Sequence, residues 1–294
     1  MNGKTILITG VNGFIGRWAA ERLQQGNRIL GLSRDGAAPA GVVGVQGDIT
    51  AMDRLRVKGP VDYCIHLAAI SDVQACDRDP LQAFRSNVQG TSNVLQWCSA
   101  QGVRGLLLAS SGKVYGSGPG TVREDAIPRP YNMYGITKAY ADYLAQGYGR
   151  LHRLPVLSMR LVNVYGPGDP NSSRIIPSTI RSLREGVAPV LYGDGSTERA
   201  FLYVTDVVSF IERALSALEQ GNGGIYNVSP PSQYSIRTIV ETIVRLMASS
   251  LQPRYQEGKA VPSDCILLQD KARALGWEPQ VPLEEGLRQV IAAS

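Results

Sequence analysis

A short, largely apolar run, Lys4-Thr5-Ile6-Leu7-Ile8-Thr9, passes directly into Gly10-Val11-Asn12-Gly13-Phe14-Ile15-Gly16. The apolar run, with its β-branched residues, predicts a strand, and the three glycines predict a tight turn that opens a helix. Gly10 permits the turn, Gly13 lets the backbone approach a pyrophosphate, and Gly16 lets the helix pack closely on the strand. The first amides of that helix, reinforced by its dipole, face the anion. The glycine spacing departs from G-x-G-x-x-G, and a glycine turn without a ligand is the simpler alternative.

Short apolar runs then recur between helical patterns, at Arg28–Ser33, Val42–Gln46, Val61–Leu67, Gly105–Ser110 and Pro155–Leu161. Asp79–Gln101 and Asn132–His152 read as helices among them. This alternation predicts an α/β fold, a Rossmann-type doubly wound parallel sheet. Beyond Gly166 the character changes, with helical patterns near Ile175–Glu185, Thr205–Gln220, Ser235–Ala248 and Leu283–Ala292 and few strong strands. The division expected is a dinucleotide-binding domain over 1–165 and a smaller, mostly helical part over 166–294. Some interleaving is expected, with a cleft between the two parts.

With 294 residues, 44% hydrophobic and 19% charged, the chain is long enough for a sizeable core. Its net charge of +5 is not gathered into a basic block, which favours a small anionic ligand over nucleic acid. Cys64, Cys76, Cys98 and Cys265 form no C-x-x-C pair and read as reduced thiols, three of them in buried elements. Two histidines, His66 and His152, without a carboxylate cluster, argue against a metal site. No apolar run is long enough to span a bilayer and the opening segment is too short for a signal peptide, so a cytoplasmic protein without a membrane partner is expected.

Tyr134-Gly135-Ile136-Thr137-Lys138 carries the chemistry. Residues four apart share a helix face, and a lysine ammonium there is expected to pull the tyrosine pKa down from about 10, making Tyr134 a general base. Spacing alone does not distinguish this from an ordinary surface pair.

Together with the glycine turn, Tyr134-x-x-x-Lys138 resembles the extended short-chain dehydrogenase/reductase family, in its nucleotide-sugar epimerase and dehydratase branch. Further segments agree in type and order: His66-Leu67-Ala68-Ala69, Asn87-Val88-Gln89-Gly90-Thr91, Ser110-Ser111-Gly112-Lys113-Val114-Tyr115-Gly116, Arg160-Leu161-Val162-Asn163-Val164-Tyr165-Gly166, Arg199-Ala200-Phe201 through Asp206, and Leu275-Gly276-Trp277. The resemblance implies that Tyr134 is the base, Lys138 its electrostatic partner and ribose anchor, and Ser111 the hydrogen-bonding hydroxyl. It implies NAD(P) held by Gly10, Gly13, Phe14, Ile15, Gly16, Leu67, Ala68, Ala69 and Asn87, with Asp48 and Ile49 at the adenine. Asp48 fits equally well as an N-cap for Ala51–Val57.

At the end of the second strand, Ser33-Arg34 points to NADP, whereas Asp35 as the reader would point to NAD. Asn163, Arg199 and Asp206 match residues that hold a nucleotide-diphosphate sugar, although Ala200 departs from the acidic residue common there. Arg199 also reads as a surface ion-pair partner of Glu198 or Asp194. The expected activity is a 4-epimerase, with a 4-keto-sugar reductase as the alternative. A 4,6-dehydratase is disfavoured, because Gly112 and Lys113 stand where an acidic pair is expected, and a non-catalytic dinucleotide-binding scaffold is disfavoured by the intact Ser111, Tyr134 and Lys138. Related enzymes commonly dimerise through the tyrosine helix and the helix after Asp79, so a homodimer is expected.

Overall fold

The computed structural model describes residues 1–55, 57–118, 120–258 and 262–294. Seven strands form one parallel sheet: β1 (Thr5–Thr9), β2 (Arg28–Ser33), β3 (Val43–Gln46), β4 (Tyr63–His66), β5 (Gly105–Ser111), β6 (Val156–Leu161) and β7 (Gly224–Val228). Their spatial order is β7-β6-β5-β4-β1-β2-β3, which reverses direction beside β1 and leaves a crevice at the carboxyl ends of β1 and β4. Strands β4, β5 and β6 are buried at every residue, as a parallel sheet covered on both faces requires.

Alternation along the strands divides the core. Ile6, Ile8, Ile65 and Leu107 face the helices Phe14–Leu23 and Val204–Glu219, where Phe210, Ile211 and Leu215 complete the layer. Leu7, Cys64, Leu106 and Leu108 face the opposite way, toward Val94 and Leu95 of Gly90–Ala100 and Ala141 and Ala145 of Met133–Leu151. A third core, built from Ile176, Ile180, Ile239, Ile243 and Leu287, holds the helices Ile175–Arg184, Ile236–Leu246 and Leu283–Ala293 together.

Three elements differ from the sequence reading. Strand β7 lies in the 166–294 part, read as mostly helical with few strong strands, yet it pairs with β6, and the Val204–Glu219 helix packs on the sheet, so 204–228 completes the first layer. A five-residue edge strand is a weak local signal, and long-range pairing decides it. Asp79–Gln101 is also interrupted: Asp79 caps Pro80–Phe84 through the amide of Gln82, and a π-helical turn spans Arg85–Gln89 before Gly90–Ala100. After β3, Asp48 caps a short 3-10 segment, Ile49–Arg54, kinked at Ala51, rather than a regular helix. Arg56, within the Ala51–Val57 reading, lies outside the described residues.

Buried polar groups are networked across the sheet. His66 Nδ1 lies 2.7 Å from Thr9 Oγ1 and its Nε2 3.0 Å from Thr91 Oγ1. Burial, with Lys138 adding to it, pushes this imidazole down to about 3, so it ties β1 and β4 to the overlying helix as a neutral group. Arg160 Nε donates to Asp142 at 2.8 Å, and its Nη1 donates to the Tyr115 hydroxyl at 2.6 Å. The four cysteines are free thiols, and among the described residues no cluster of metal-ligating side chains forms and no helix is long and apolar enough to cross a membrane.

Candidate active site

A cavity of about 620 Å³ opens at the carboxyl ends of the central strands, between the sheet and the third core. Gly10, at φ +72°, occupies the left-handed region, and a Cβ there would stand 2.8 Å from the Ala68 amide nitrogen. At Gly16 a Cβ would fall inside contact distance of the Gly10 carbonyl, so strand and helix approach as closely as glycine permits. Gly13 is the N-cap of Phe14–Leu23, with no side-chain cap and no acidic residue in the first turn. The helix therefore begins with amides uncompensated by side chains, and Gly13, Phe14, Ile15 and Gly16 line the cavity. A dinucleotide pyrophosphate fits this turn, because the glycines leave its surface bare and the helix start offers donors. Leu67, Ala68 and Ala69 continue the wall.

The tyrosine helix is fixed at its start by two side-chain oxygen acceptors, one carboxamide and one carboxylate. Asn132 caps it through the Gly135 amide at 2.8 Å, and Asp77 accepts from the Met133 amide at 2.9 Å. A Cβ at Gly135 would meet the Lys113 carbonyl at 2.6 Å, so the helix start sits directly on the Ser111-Gly112-Lys113 turn. Ser111, Tyr134 and Lys138 thereby face one cavity. The ammonium of Lys138 donates to the Ala109 carbonyl at 2.9 Å and stands 5.9 Å from the centre of the Tyr134 ring.

Electrostatics at the pair differ from the sequence expectation. Tyr134 is held above the ordinary phenol value, because burial outweighs the opposing hydrogen bond with Ser111. Burial also lowers Lys138, to about 8, with Asp142 opposing. The lysine was expected to depress the tyrosine, but desolvation of both groups dominates in the protein alone.

At the other end of the cavity, both carboxylate oxygens of Asp264 accept from Lys113 Nζ, at 2.7 and 2.8 Å, and one lies 3.4 Å from Arg199 Nε. Arg199 thus has an ion-pair partner, Asp264, which neither sequence alternative named. Asn163 Nδ2 donates to the Ala200 carbonyl at 3.1 Å, which places both Asn163 and Arg199 on the cavity wall. Arg174 adds a further cation, paired with Asp169 at 3.0 Å. Sequence reading missed Asp264, Asp169 and Arg174, and a contact spanning 151 residues leaves no local signal.

Several expected site residues lie elsewhere. Asp206 is buried away from the cavity and accepts from the amides of Gln280 and Val281, which fastens the C-terminal segment. Its position at the start of a helix suits that role. Asn87 stands behind the wall and clamps the loop after β4, accepting from the Ile70 amide at 2.8 Å and donating to the Ile70 carbonyl at 2.9 Å and to Thr137 at 3.1 Å. Ser33 donates to the Ala37 carbonyl, and Asp35 accepts from the Ala37 amide, so both serve the turn, while Arg34 is exposed beside them. Asp48 binds the Thr50 amide at 2.8 Å, realising the N-cap alternative, and Ile49 packs against Gly90. None of these seven lines the cavity.

A seven-stranded doubly wound sheet, a bare glycine turn and a Ser-Tyr-Lys cluster in one cavity define a dinucleotide-dependent oxidoreductase-type enzyme. The family profile described as "NAD dependent epimerase/dehydratase family" matches residues 6–229, and the chain belongs to that family, an NAD(P)-dependent one. Among curated relatives, a trifunctional UDP-glucose 4,6-dehydratase/UDP-4-keto-6-deoxy-D-glucose 3,5-epimerase/UDP-4-keto-L-rhamnose-reductase of Arabidopsis thaliana is 29% identical over 98% of this chain and 46% of its own length. The chain therefore spans about half the length of that relative. Others carry the names of a decarboxylase, 4-epimerases and 4-keto-sugar or deoxysugar reductases. Among solved structures, MoeE5 in complex with UDP-glucuronic acid and NAD superposes with a TM-score of 0.88 at 30% identity, covering 98% of each chain. Thermus thermophilus UDP-glucose 4-epimerase in complex with NAD superposes at 0.87 with 27% identity, again over 98% of each chain.

Proposed function

We propose that the protein is a nucleotide-sugar 4-epimerase. The observation that carries this reading is that Ser111, Tyr134 and Lys138 share a cavity with the glycine turn on one side and Asn163 and Arg199 on the other. Gly10, Gly13, Phe14, Ile15, Gly16, Leu67, Ala68 and Ala69 would hold the dinucleotide, and Lys138 its ribose. The nicotinamide, when bound, supplies hydride acceptance and return. Tyr134 takes the proton of the sugar 4-hydroxyl and later gives it back, while Ser111 holds that oxygen by a hydrogen bond and Lys138 stabilises the tyrosinate. Arg199 presents its planar donor fork to the diphosphate.

An elimination at the sugar is disfavoured by the wall itself. Gly112 offers no side chain to act as an acid beside Ser111, and Lys113 is a cation held by Asp264. A 4-keto-sugar reductase is the second reading, favoured by the end of β2: Arg34 and Asp35 are both exposed, but the Asp35 carboxylate is taken up by the Ala37 amide, an arrangement that suits NADP over NAD.

The test is to denature the purified protein, identify the released nicotinamide, and follow a uridine diphosphate hexose by NMR without added cofactor. The expected result is bound NADP and a 4-epimerised sugar formed without net consumption of reduced cofactor. Cofactor-free protein that consumes NADPH with a 4-keto sugar would instead decide for the reductase.

A homodimer is also proposed, through the adjacent helices Pro80–Phe84 and Met133–Leu151, which expose Leu81, Phe84, Tyr140 and Tyr143. Light scattering should return about twice the 31.7 kDa chain mass, and a mass of one chain would dismiss the dimer.

A further inference from the structure

The ion cluster at the far end of the cavity has a fixed backbone. The Asp264 amide donates to the Glu198 carbonyl at 3.3 Å, its carbonyl accepts from Gln233 Nε2 at 3.0 Å, and Gly118 donates to the neighbouring Ser263 carbonyl at 3.0 Å. The Asp264 carboxylate is therefore delivered to Lys113 by a chain segment pinned on three sides. Lys113 follows Ser111 by two residues and its amide donates to the Ser111 hydroxyl at 3.2 Å, and both residues line the cavity with Tyr134. The Lys113 side chain therefore lines the same cavity as the Ser111 and Tyr134 hydroxyls. Lys113, Asp264 and Arg199 are all largely buried, their side chains 18%, 17% and 11% exposed, so their charges act with little screening by water.

Alone, Lys113 would attract a carboxylate on the sugar. Both oxygens of Asp264 already occupy its ammonium and repel a second carboxylate, while the longer 3.4 Å contact to Arg199 Nε leaves that guanidinium's terminal nitrogens for the diphosphate. Among the described residues lining the cavity, Arg174 is paired with Asp169 and Asp72 adds a negative group that caps the Val73–Arg78 helix, while Lys138 keeps its charge and is held on the Ala109 carbonyl beside the Tyr134 ring.

We propose that Asp264 is a specificity-determining residue, which reserves the sugar end of the cavity for hexoses without negative charge by neutralising Lys113 beside Arg199. This inference rests on the nucleotide-sugar reading. The unwanted hexuronate is rejected because it meets a like charge rather than a clash.

Titration calorimetry on the nicotinamide-loaded protein tests it, with a uridine diphosphate hexose and the corresponding hexuronate as probes. The quantity read is the ratio of the two dissociation constants, in which the shared diphosphate cancels. The natural chain should favour the hexose at least tenfold. Asp264→Asn should move the ratio at least tenfold toward the hexuronate, and adding Lys113→Met should remove that gain. Asp264→Ser serves as the second variant if Asp264→Asn does not fold, with the same expected shift. A ratio unchanged in the variants, even with both ligands bound more tightly, overturns the proposal and places the effect of Asp264 at the diphosphate. A natural chain that prefers the hexuronate also overturns it. A nicotinamide-loaded chain that binds neither probe overturns the nucleotide-sugar reading, and this inference with it.

Discussion

Replacing Tyr134 with phenylalanine is expected to lower kcat by about 10²–10⁴, the usual size of a general acid–base contribution. The change deletes one oxygen on a ring already seated against the Ser111 turn, so the fold and cofactor binding should survive. Calorimetric binding of nicotinamide dinucleotide and an unchanged melting temperature would show that only the proton carrier was lost. Burial holds Tyr134 above the ordinary phenol value, and the base must lose its proton to act. The sign follows: kcat/KM of the natural enzyme should rise with pH up to about 8, where the Lys138 ammonium that supports the tyrosinate begins to lose its proton. A Tyr134→Phe protein as active as the natural one would remove Tyr134 from the mechanism.

The second large effect is expected on stability, at the buried pair Arg160 and Asp142. Both side chains are 3% exposed, and Arg160 also donates to Tyr115 at 2.6 Å and to the Glu124 carbonyl at 3.2 Å. Arg160→Met would leave the Asp142 carboxylate buried without a counter-ion, at a cost of about 3–5 kcal/mol. Urea denaturation should show a lower midpoint at a similar slope. Replacing both residues, Arg160→Met with Asp142→Leu, should recover much of the loss, because a well-packed apolar pair removes the desolvation penalty. A loss below about 1 kcal/mol for the single variant would mean that the pair behaves as a solvated one. Asp142 lies one turn beyond Lys138, so the pair also fastens the reactive helix to β6.

The Arg160–Asp142 clasp illustrates which parts of the site were legible beforehand. Both residues stand in the segments read as strand and helix, but nothing in either segment names the other as its partner. Asp206 shows the same limit from the other side. Its motif matched a substrate-binding set, yet its carboxylate holds the amides of Gln280 and Val281 from a distant segment. Asn87 likewise holds the loop after β4 in place and does not line the cavity.

The sequence by itself determined the strand, glycine turn and helix at the start of the chain, because φ +72° at Gly10 and the close approach at Gly16 are demands that only glycine meets. It also determined that Tyr134 and Lys138 share a helix face, since that depends on a spacing of four residues and nothing further. Tertiary structure alone decided that β7 completes the sheet, that desolvation raises Tyr134 against the pull expected from Lys138, and that Asp264 crosses 151 residues to take up Lys113. The physical reason is common to all three. Pairing, burial and charge compensation are set by neighbours in space, and those neighbours exist only once the chain has folded.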